Sequence, residues 1–218
     1  VVTTPLLPAT SASVVDLDPQ RMLAELDFEL PLDGGQWAQG PPLVKVADMA
    51  AVLRTHLEED DPLASYAATL EQAAYASTPL RGYLTGSIDV VFEHAGRFYV
   101  ADYKTNWLGP PDQPNTTATY TPPHMRRAME GSTYPLQALL YTVALHRYLT
   151  WRMKDYDVEA HLGGVLYLYV RGMAGPSTPV VDGTSTGVFY WQPPPGLVTE
   201  LSELLNGADG AAPDRRRE

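Results

Sequence analysis

The stretch of sequence at 82–106 reads GYLTGSIDVVFEHAGRFYVADYKTN. It is dense in β-branched and aromatic residues on both sides of His94-Ala95-Gly96-Arg97, a pattern typical of two strands joined by a tight turn. If Ala95 and Gly96 form a two-residue loop, His94 faces Arg97 and the numbers of cross-strand partners sum to 191. This register predicts that Asp89 lies opposite Asp102.

The register divides the hairpin into two faces. One face is apolar and suited to a core, since it pairs Ile88 with Tyr103, Val90 with Ala101 and Phe92 with Tyr99. The other face carries Asp89 and Asp102, whose Cβ atoms would lie roughly 4.5–5.5 Å apart, where like charges are destabilising. Lys104 follows Asp102 by two residues and therefore points to the same face.

Two carboxylates that converge on one site can bind a hard divalent cation, and Mg²⁺ is usually held by one or two carboxylates together with water and substrate phosphate. Such a metal supports phosphodiester hydrolysis, and an ammonium beside it can stabilise the developing charge. Two alternatives stay open. In the first, the face carries Asp and Lys only because it is exposed to solvent. In the second, the turn has four residues and the register is shifted.

Apolar spacing predicts the remaining elements of the chain. The predicted strands are Met22–Leu32, Gly164–Arg171 and the edge strand Val188–Gln192, and the predicted helices cover 46–57, 63–74, 123–130, 134–153 and 197–205. Residues 36–45, 108–123 and 173–187 are rich in loop-forming residues. The order of strand, helices, hairpin, helices, strand and helix predicts a mixed α/β domain.

The two ends of the chain differ in composition from the middle. Residues 1–20 are rich in Pro, Ser, Thr and Ala without periodicity, which predicts a linker. Residues 208–218 are expected to form a flexible C-terminal tail after an Ala/Gly/Pro stretch. These boundaries leave 21–207 as the folded domain. Because the chain begins with Val, we also expect it to be a fragment of a longer protein.

Composition restricts the chemistry. The 218 residues include no cysteine, which excludes disulfides, thiolate-held zinc and iron–sulfur clusters, so any metal must be held by oxygen or imidazole. The formal net charge of −11 is the opposite of what an autonomous nucleic-acid binder carries. No apolar run approaches the ~20 residues of a membrane span, and no signal peptide is visible, so we expect a soluble chain.

The motifs together resemble the C-terminal nuclease domain of the RecB family, the beta chain of the bacterial RecBCD helicase–nuclease (exodeoxyribonuclease V), in the PD-(D/E)xK superfamily. The resemblance runs from about residue 22 to 205 and is densest over 82–172. The segments that carry it are GYLTGSIDVVF at 82–92, GRFYVADYKTNWLG at 96–109, YPLQALLYTVALHRYL at 134–149 and GGVLYLYVRG at 163–172. It implies the restriction-endonuclease-like fold, a mixed central β-sheet flanked by helices.

The resemblance also implies roles for individual residues. Asp89 and Asp102 correspond to the metal-ligating acids, Lys104 to the catalytic lysine, and the carbonyl of Tyr103 to a further metal ligand. Gln137 and Tyr141 match a Gln-x-x-x-Tyr motif that supports the site or contacts the DNA backbone. They lie one helical turn apart, and packing between a helix and the sheet is the alternative reading of that spacing.

One feature of the family is missing. The family also ligates its metal through a histidine on a helix before the first strand, and no histidine precedes Met22. We therefore expect that N-terminal helix to be absent from the fragment, which would leave the piece weakly active or inactive alone. His56 is interpreted as a surface histidine on a helix, and His94, His124, His146 and His161 are interpreted in the same way. Asp27 and Glu29 on the first strand could approach the site.

The function implied is a Mg²⁺-dependent DNA nuclease, with Mn²⁺ as a substitute, acting in double-strand break repair and recombination on strands delivered by an attached helicase. Delivery at high effective concentration would make the negative charge tolerable. The implied partners are DNA and RecC-like and RecD-like subunits in the bacterial cytoplasm. ATP would bind only in the helicase part, since no Walker A motif occurs here. The alternative is a nuclease-fold interaction module that does not cut.

Overall fold

The computed structural model describes residues 1–8, 10–33, 35 and 44–207. Within this part the strands are β1 Met22–Leu32, β2 Gly82–His94, β3 Arg97–Lys104, β4 Leu162–Tyr169, β5 Val180–Val181, β6 Thr184–Ser185 and β7 Val188–Trp191. The α-helices are α1 Asp48–His56, α2 Tyr66–Gln72, α3 Pro122–Glu130, α4 Tyr134–Arg152, α5 Val158–His161 and α6 Pro195–Asn206. The predicted tail at 208–218 lies outside the described residues.

The central sheet has five strands in the order β1-β2-β3-β4-β7. The β3–β4 pair is parallel and the other three neighbouring pairs are antiparallel, so the sheet is mixed. All eight residues of β4 are buried, as expected for the apolar run from which a buried strand was predicted. The predicted α/β class, with helices against a mixed sheet, is confirmed.

The β2–β3 turn has the predicted two-residue loop. His94 pairs with Arg97, and Val90 pairs with Ala101, as the register requires. Ala95 and Gly96 adopt φ values of 52° and 81°, which are the left-handed values that a type I′ hairpin turn needs at both central positions. The alternative of a four-residue turn with a shifted register is therefore wrong.

One face of the hairpin differs from the prediction. Val90 and Phe92 pack together on one side of the sheet, but Ile88 belongs to the core on the opposite side, and Tyr103 is 39% exposed. The change of face lies next to an irregularity in the adjoining edge strand, where Glu25 has φ of 52° between the regular pairs Ala24–Val90 and Leu26–Ile88. The apolar face is thus continuous only from Val90 toward the turn.

Helices cover one face of the sheet and form the larger core with it. Buried side chains of α1, α2, α3, α4 and α6 pack against Val91, Val100, Val165 and Tyr167 from the strands. The long helix α4 is the part of this layer that matters for the site, because it forms hydrogen bonds with Ser87 of β2, Lys104 of β3 and Tyr167 of β4. Thr133 is the N-cap residue of α4, and Pro135 follows in the first helical turn, where proline is well tolerated.

The opposite face of the sheet is covered by residues that were predicted to form a linker. Leu6, Leu7 and Leu17 are buried in a second core on this face of the sheet. The other buried residues of this second core are Val90, Phe92, Tyr99, Ala101, Leu166, Leu168, Met173 and Val188. The buried Thr4 hydroxyl contacts that of Thr178 at 3.0 Å. The linker prediction for 1–20 is corrected, because a sheet whose central strands are buried on both faces needs cover on both.

Among the residues that the structure describes, none of the helices combines the length and the apolar character needed to cross a bilayer.

Arg147 joins three elements and gives a test of this architecture. From α4 its guanidinium donates to the hydroxyl of Ser202 at 2.9 Å, to the carbonyl of Ser202 at 2.6 Å and to that of Pro31 at 3.1 Å. Burial lowers the pKa of Arg147 to about 10. Arg147→Met would leave three acceptors without their donor, so we expect the free energy of unfolding to fall by about 2 kcal/mol in urea denaturation.

Arg126→Met on the exposed side of α3 is the matched control for that experiment, with an expected change within about 0.5 kcal/mol. Equal stability of the Arg147 and Arg126 variants would contradict the role assigned to Arg147.

Candidate active site

The two acids of the hairpin meet where the β2–β3 ladder ends. Val90–Ala101 is the last regular pair, and the backbone N–H of Tyr103 donates to Oδ2 of Asp89 at 2.9 Å instead of to a strand carbonyl. Asp89 is half-buried and Asp102 is 3% exposed. The predicted proximity of these carboxylates therefore exists, and the alternative of a solvated hairpin face does not hold for Asp102.

Asp102 is a carboxylate in an environment that opposes its charge. Burial raises its pKa, the ion pair with Lys104 at 2.6 Å lowers it, and the negative charge of Asp89 raises it again, with a net upward shift. The side chains of Lys104 and Asp102 are 12% and 5% exposed. A buried acid that is raised in pKa by a neighbouring acid is typical of functional sites, where a cation supplies the missing stabilisation.

The ammonium of Lys104 is held by three groups besides Asp102. Its Nζ lies 4.0 Å from the ring centroid of Tyr134 and 5.1 Å from that of Tyr167, and it donates to Oε1 of Gln137 at 3.2 Å. The two rings are stacked, with centroids 5.6 Å apart. The face of an aromatic ring attracts a nearby ammonium, so the two tyrosines hold the Lys104 side chain in place beside the acids.

Gln137 and Tyr141 connect Lys104 to the backbone of β2. The amide nitrogen of Gln137 donates to the Tyr141 hydroxyl at 2.8 Å, and that hydroxyl donates to the carbonyl of Ser87 at 2.7 Å. The pair lies one turn apart on α4, as predicted, and it contacts the site while also forming the seam between helix and sheet. The hydrogen bonds of these two side chains therefore reach Lys104 and also join α4 to the sheet.

Three residues around Lys104 were missed in the sequence. Tyr134 precedes Gln137 by three residues on α4, so its position on the same face could have been found from helical spacing. Tyr167 lies in an unbroken apolar strand, where nothing in the pattern separates it from core. Its hydroxyl lies 2.9 Å from the Tyr134 carbonyl. Ser87 contributes only its carbonyl, which no side-chain pattern reveals.

The groups that could bind a metal at this site fit the hard divalent cation predicted from the sequence. Asp89 and Asp102 supply carboxylate oxygens, which suit Mg²⁺ or Mn²⁺. The Tyr103 carbonyl faces the same side of β3 as its N–H, toward Asp89, because both groups of a strand residue point the same way. In the described residues no group of three or more His, Cys, Asp and Glu is placed to hold a metal. Two carboxylates and one carbonyl are a donor set that suits a cation which keeps several waters, as Mg²⁺ usually does.

The other titratable candidates are engaged elsewhere. His56 on α1 pairs with Glu200 on α6 at 2.6 Å, and His146 contacts the Tyr156 hydroxyl at 3.1 Å. Asp27 and Glu29 pair across β1 and β2 with Ser87 and Thr85, and both are exposed. None of these side chains forms a hydrogen bond or an ion pair with Asp89, Asp102 or Lys104 in the described part of the chain.

The comparison with known proteins agrees with this geometry. The family model of the PD-(D/E)XK nuclease superfamily matches residues 8–208. The chain is 50% identical over 202 residues to the RecBCD enzyme subunit RecB of Mycolicibacterium smegmatis, which is 93% of this chain and 18% of that relative. It is 36% identical over 198 residues to the subunit of the same name from Escherichia coli K12, which is 91% of this chain and 14% of that relative.

The chain thus spans less than a fifth of the length of these curated relatives. The family match, in contrast, covers nearly the whole chain and includes the hairpin, β4 and α4, the elements that position the two acids and the lysine. The fold and the family match lead to one conclusion: the chain belongs to the PD-(D/E)XK nuclease superfamily.

Proposed function

We propose that this chain is the metal-dependent DNA nuclease domain of a RecB-type subunit, which hydrolyses phosphodiester bonds of strands delivered by an attached helicase during double-strand break repair and recombination. The observation that carries the proposal is the buried Asp102, paired with Lys104 and repelled by Asp89 at the end of one hairpin. A site of this kind lacks one positive charge that a divalent cation would supply.

The cation we propose is Mg²⁺, with Mn²⁺ as a substitute. Asp89, Asp102 and the carbonyl of Tyr103 would hold it. When bound, such a cation polarises a phosphoryl oxygen and lowers the pKa of a coordinated water.

Lys104 then acts as a fixed positive charge next to the reacting phosphate. Its contacts with Tyr134, Tyr167 and Gln137 hold the ammonium in place before substrate arrives, so little reorganisation is needed during the reaction. Gln137 and Tyr141 are proposed as positioning residues, since they connect Lys104 to Ser87 two residues before Asp89. In this way α4 keeps the lysine and the first acid in register.

The whole assembly is proposed from the names of the relatives. We infer that DNA reaches the site through a longer parent chain, that RecC-like and RecD-like subunits accompany it, and that it acts in the bacterial cytoplasm. The net charge of −11 supports delivery, because a tethered substrate does not require strong intrinsic affinity for phosphate. ATP belongs to the proposed helicase part.

The direct test is cleavage of end-labelled single-stranded and double-stranded DNA by the chain, alone and within the helicase-containing assembly. We expect cleavage in Mg²⁺ or Mn²⁺ that stops when EDTA is added, because the paired acids lose their cation. Absence of metal-dependent cleavage in both settings would contradict the proposal and favour the non-cutting interaction module.

A further inference from the structure

An exposed tryptophan lies directly beyond the candidate catalytic lysine. Trp107 follows Lys104 by three residues and is 48% exposed, although an aromatic ring of this size is usually mostly buried. Its indole N–H donates to the carbonyl of Pro110 at 3.2 Å. The ring is therefore held in one orientation while about half of the residue's surface faces solvent.

An exposed arginine stands beside this ring. In the parallel β3–β4 pair, Lys104 pairs with Tyr169, so Trp107 and Arg171 both follow the strands past the same edge of the sheet. The Nε of Arg171 donates to the carbonyl of Thr105 at 2.8 Å, and its Cζ lies 5.8 Å from the ring centroid of Trp107. No carboxylate forms an ion pair with Arg171 among the residues that the structure covers.

The segment that carries Trp107 is anchored through the preceding residue, Asn106. The buried Tyr120 donates its hydroxyl proton to the Asn106 carbonyl at 2.8 Å, and the Tyr134 hydroxyl donates to Oδ1 of Asn106 at 3.1 Å. Tyr134 is also the ring under the Lys104 ammonium. One tyrosine thus fixes the position of the lysine and of the residue before Trp107.

We propose that Trp107 and Arg171 form a stacking subsite, which binds a nucleobase of a single-stranded nucleic acid next to the phosphate that is cut. The inference rests on the nuclease function proposed above. A nucleobase stacks on an exposed aromatic ring whatever its sequence, and an arginine beside the ring can pair with the adjoining phosphate. Three residues of extended chain span at most about 11 Å, so the ring is within reach of a nucleotide neighbouring the reacting one.

The molecule contains a matched control for this subsite. Trp151 is 76% exposed, and the guanidinium of Arg152 lies 5.1 Å from its ring centroid, so it offers the same pair of side chains. Trp151 lies on α4 fourteen residues after Gln137, roughly 21 Å along the helix from the site. Both tryptophans are exposed and each has an arginine neighbour, but Trp151 lies far from the acids and is the more exposed of the two, so exposure alone would favour Trp151.

The test compares a short oligothymidylate with an abasic oligonucleotide of the same length, both labelled with fluorescein. Binding is measured by anisotropy at low ionic strength in EDTA, so that cleavage is not required.

Trp107→Leu should weaken binding of the oligothymidylate roughly tenfold and leave binding of the abasic ligand unchanged. Trp107→Phe should restore most of the affinity, and Trp151→Leu should bind like wild type. Arg171→Gln should weaken both ligands equally and reduce the salt dependence by about one phosphate contact.

Several results would overturn the stacking subsite: a wild-type chain that does not bind the oligothymidylate, or that binds both ligands equally; a Trp107→Leu variant that weakens both ligands or neither; or a Trp151→Leu variant as weak as Trp107→Leu. Cleavage in Mg²⁺ is measured in parallel on the wild type. Absence of cleavage both by the chain alone and within the helicase-containing assembly refutes the proposed nuclease, whereas intact cleavage with unaltered binding by Trp107→Leu refutes the subsite alone.

Discussion

Replacing Asp102 with asparagine is expected to lower the rate of metal-dependent DNA cleavage by a factor of about a thousand or more. Asparagine keeps the size of the side chain and can still contact Lys104, but it removes the negative charge that a divalent cation requires. Because Asp102 is 3% exposed, no water can replace the lost carboxylate easily. The measurement is the initial rate of cleavage of labelled single-stranded DNA under saturating Mg²⁺.

Asp155→Asn, an exposed acid after the end of α4, is the control for this substitution and should cut like wild type. Thermal unfolding of both variants separates loss of chemistry from loss of fold. A folded Asp102→Asn variant that keeps a rate close to wild type would contradict the assignment of this residue to the site.

Lys104→Met should lower kcat by roughly a hundredfold or more while leaving the metal bound. Methionine retains the apolar stem that packs near Tyr134 and Tyr167 but lacks the ammonium that faces the reacting phosphate. The same substitution should raise the pKa of Asp102 further, since the ion pair with Lys104 is what lowers it. The pH below which cleavage declines should therefore move upward.

Steady-state kinetics and a metal titration on the same preparation test this prediction, with Lys154→Met, exposed after α4, as the control. A Lys104→Met variant with unchanged kcat would contradict a catalytic role for Lys104. A variant that loses metal binding as completely as an acid substitution would show that its role is to support the acids only.

The hairpin could be predicted from the sequence because its turn residues leave little choice. Ala95 and Gly96 between two β-rich runs set a two-residue loop, and the register of that loop brings Asp89 and Asp102 close together where the ladder ends. The long helix was equally predictable from its spacing, which put Gln137 and Tyr141 on one face. Local chemistry and chain geometry were sufficient for these parts.

Other parts depend on contacts that local patterns do not carry. Ile88 changes face beside Glu25, whose left-handed backbone belongs to a different strand. Leu6, Leu7 and Leu17 are scattered among Pro, Ser and Thr, so the composition of this segment indicated a linker. In the structure these leucines cover the second face of the sheet, which would otherwise be exposed. The apolar pattern indicated that Tyr167 is a core residue, and it is buried, but its ring also faces Lys104.

The acidic charge of the chain is partly explained by the structure. Asp89 and Asp102 belong to the site, and Glu25, Asp27 and Glu29 lie exposed along the edge strand β1. Such a row of carboxylates repels a phosphate backbone from that edge. Substrate is then expected to approach from the opposite end of the site, where Trp107 and Arg171 stand.

The central claim is that Asp89 and Asp102 hold one divalent cation, and calorimetric titration of Mn²⁺ into the chain tests it most directly. We expect a single site with millimolar-range affinity that weakens as the pH is lowered, because burial raises the pKa of Asp102 and protons compete with the metal. Asp89→Asn should abolish the binding heat, and Asp27→Asn on β1 should leave it intact. An isotherm unchanged by Asp89→Asn would contradict the claim.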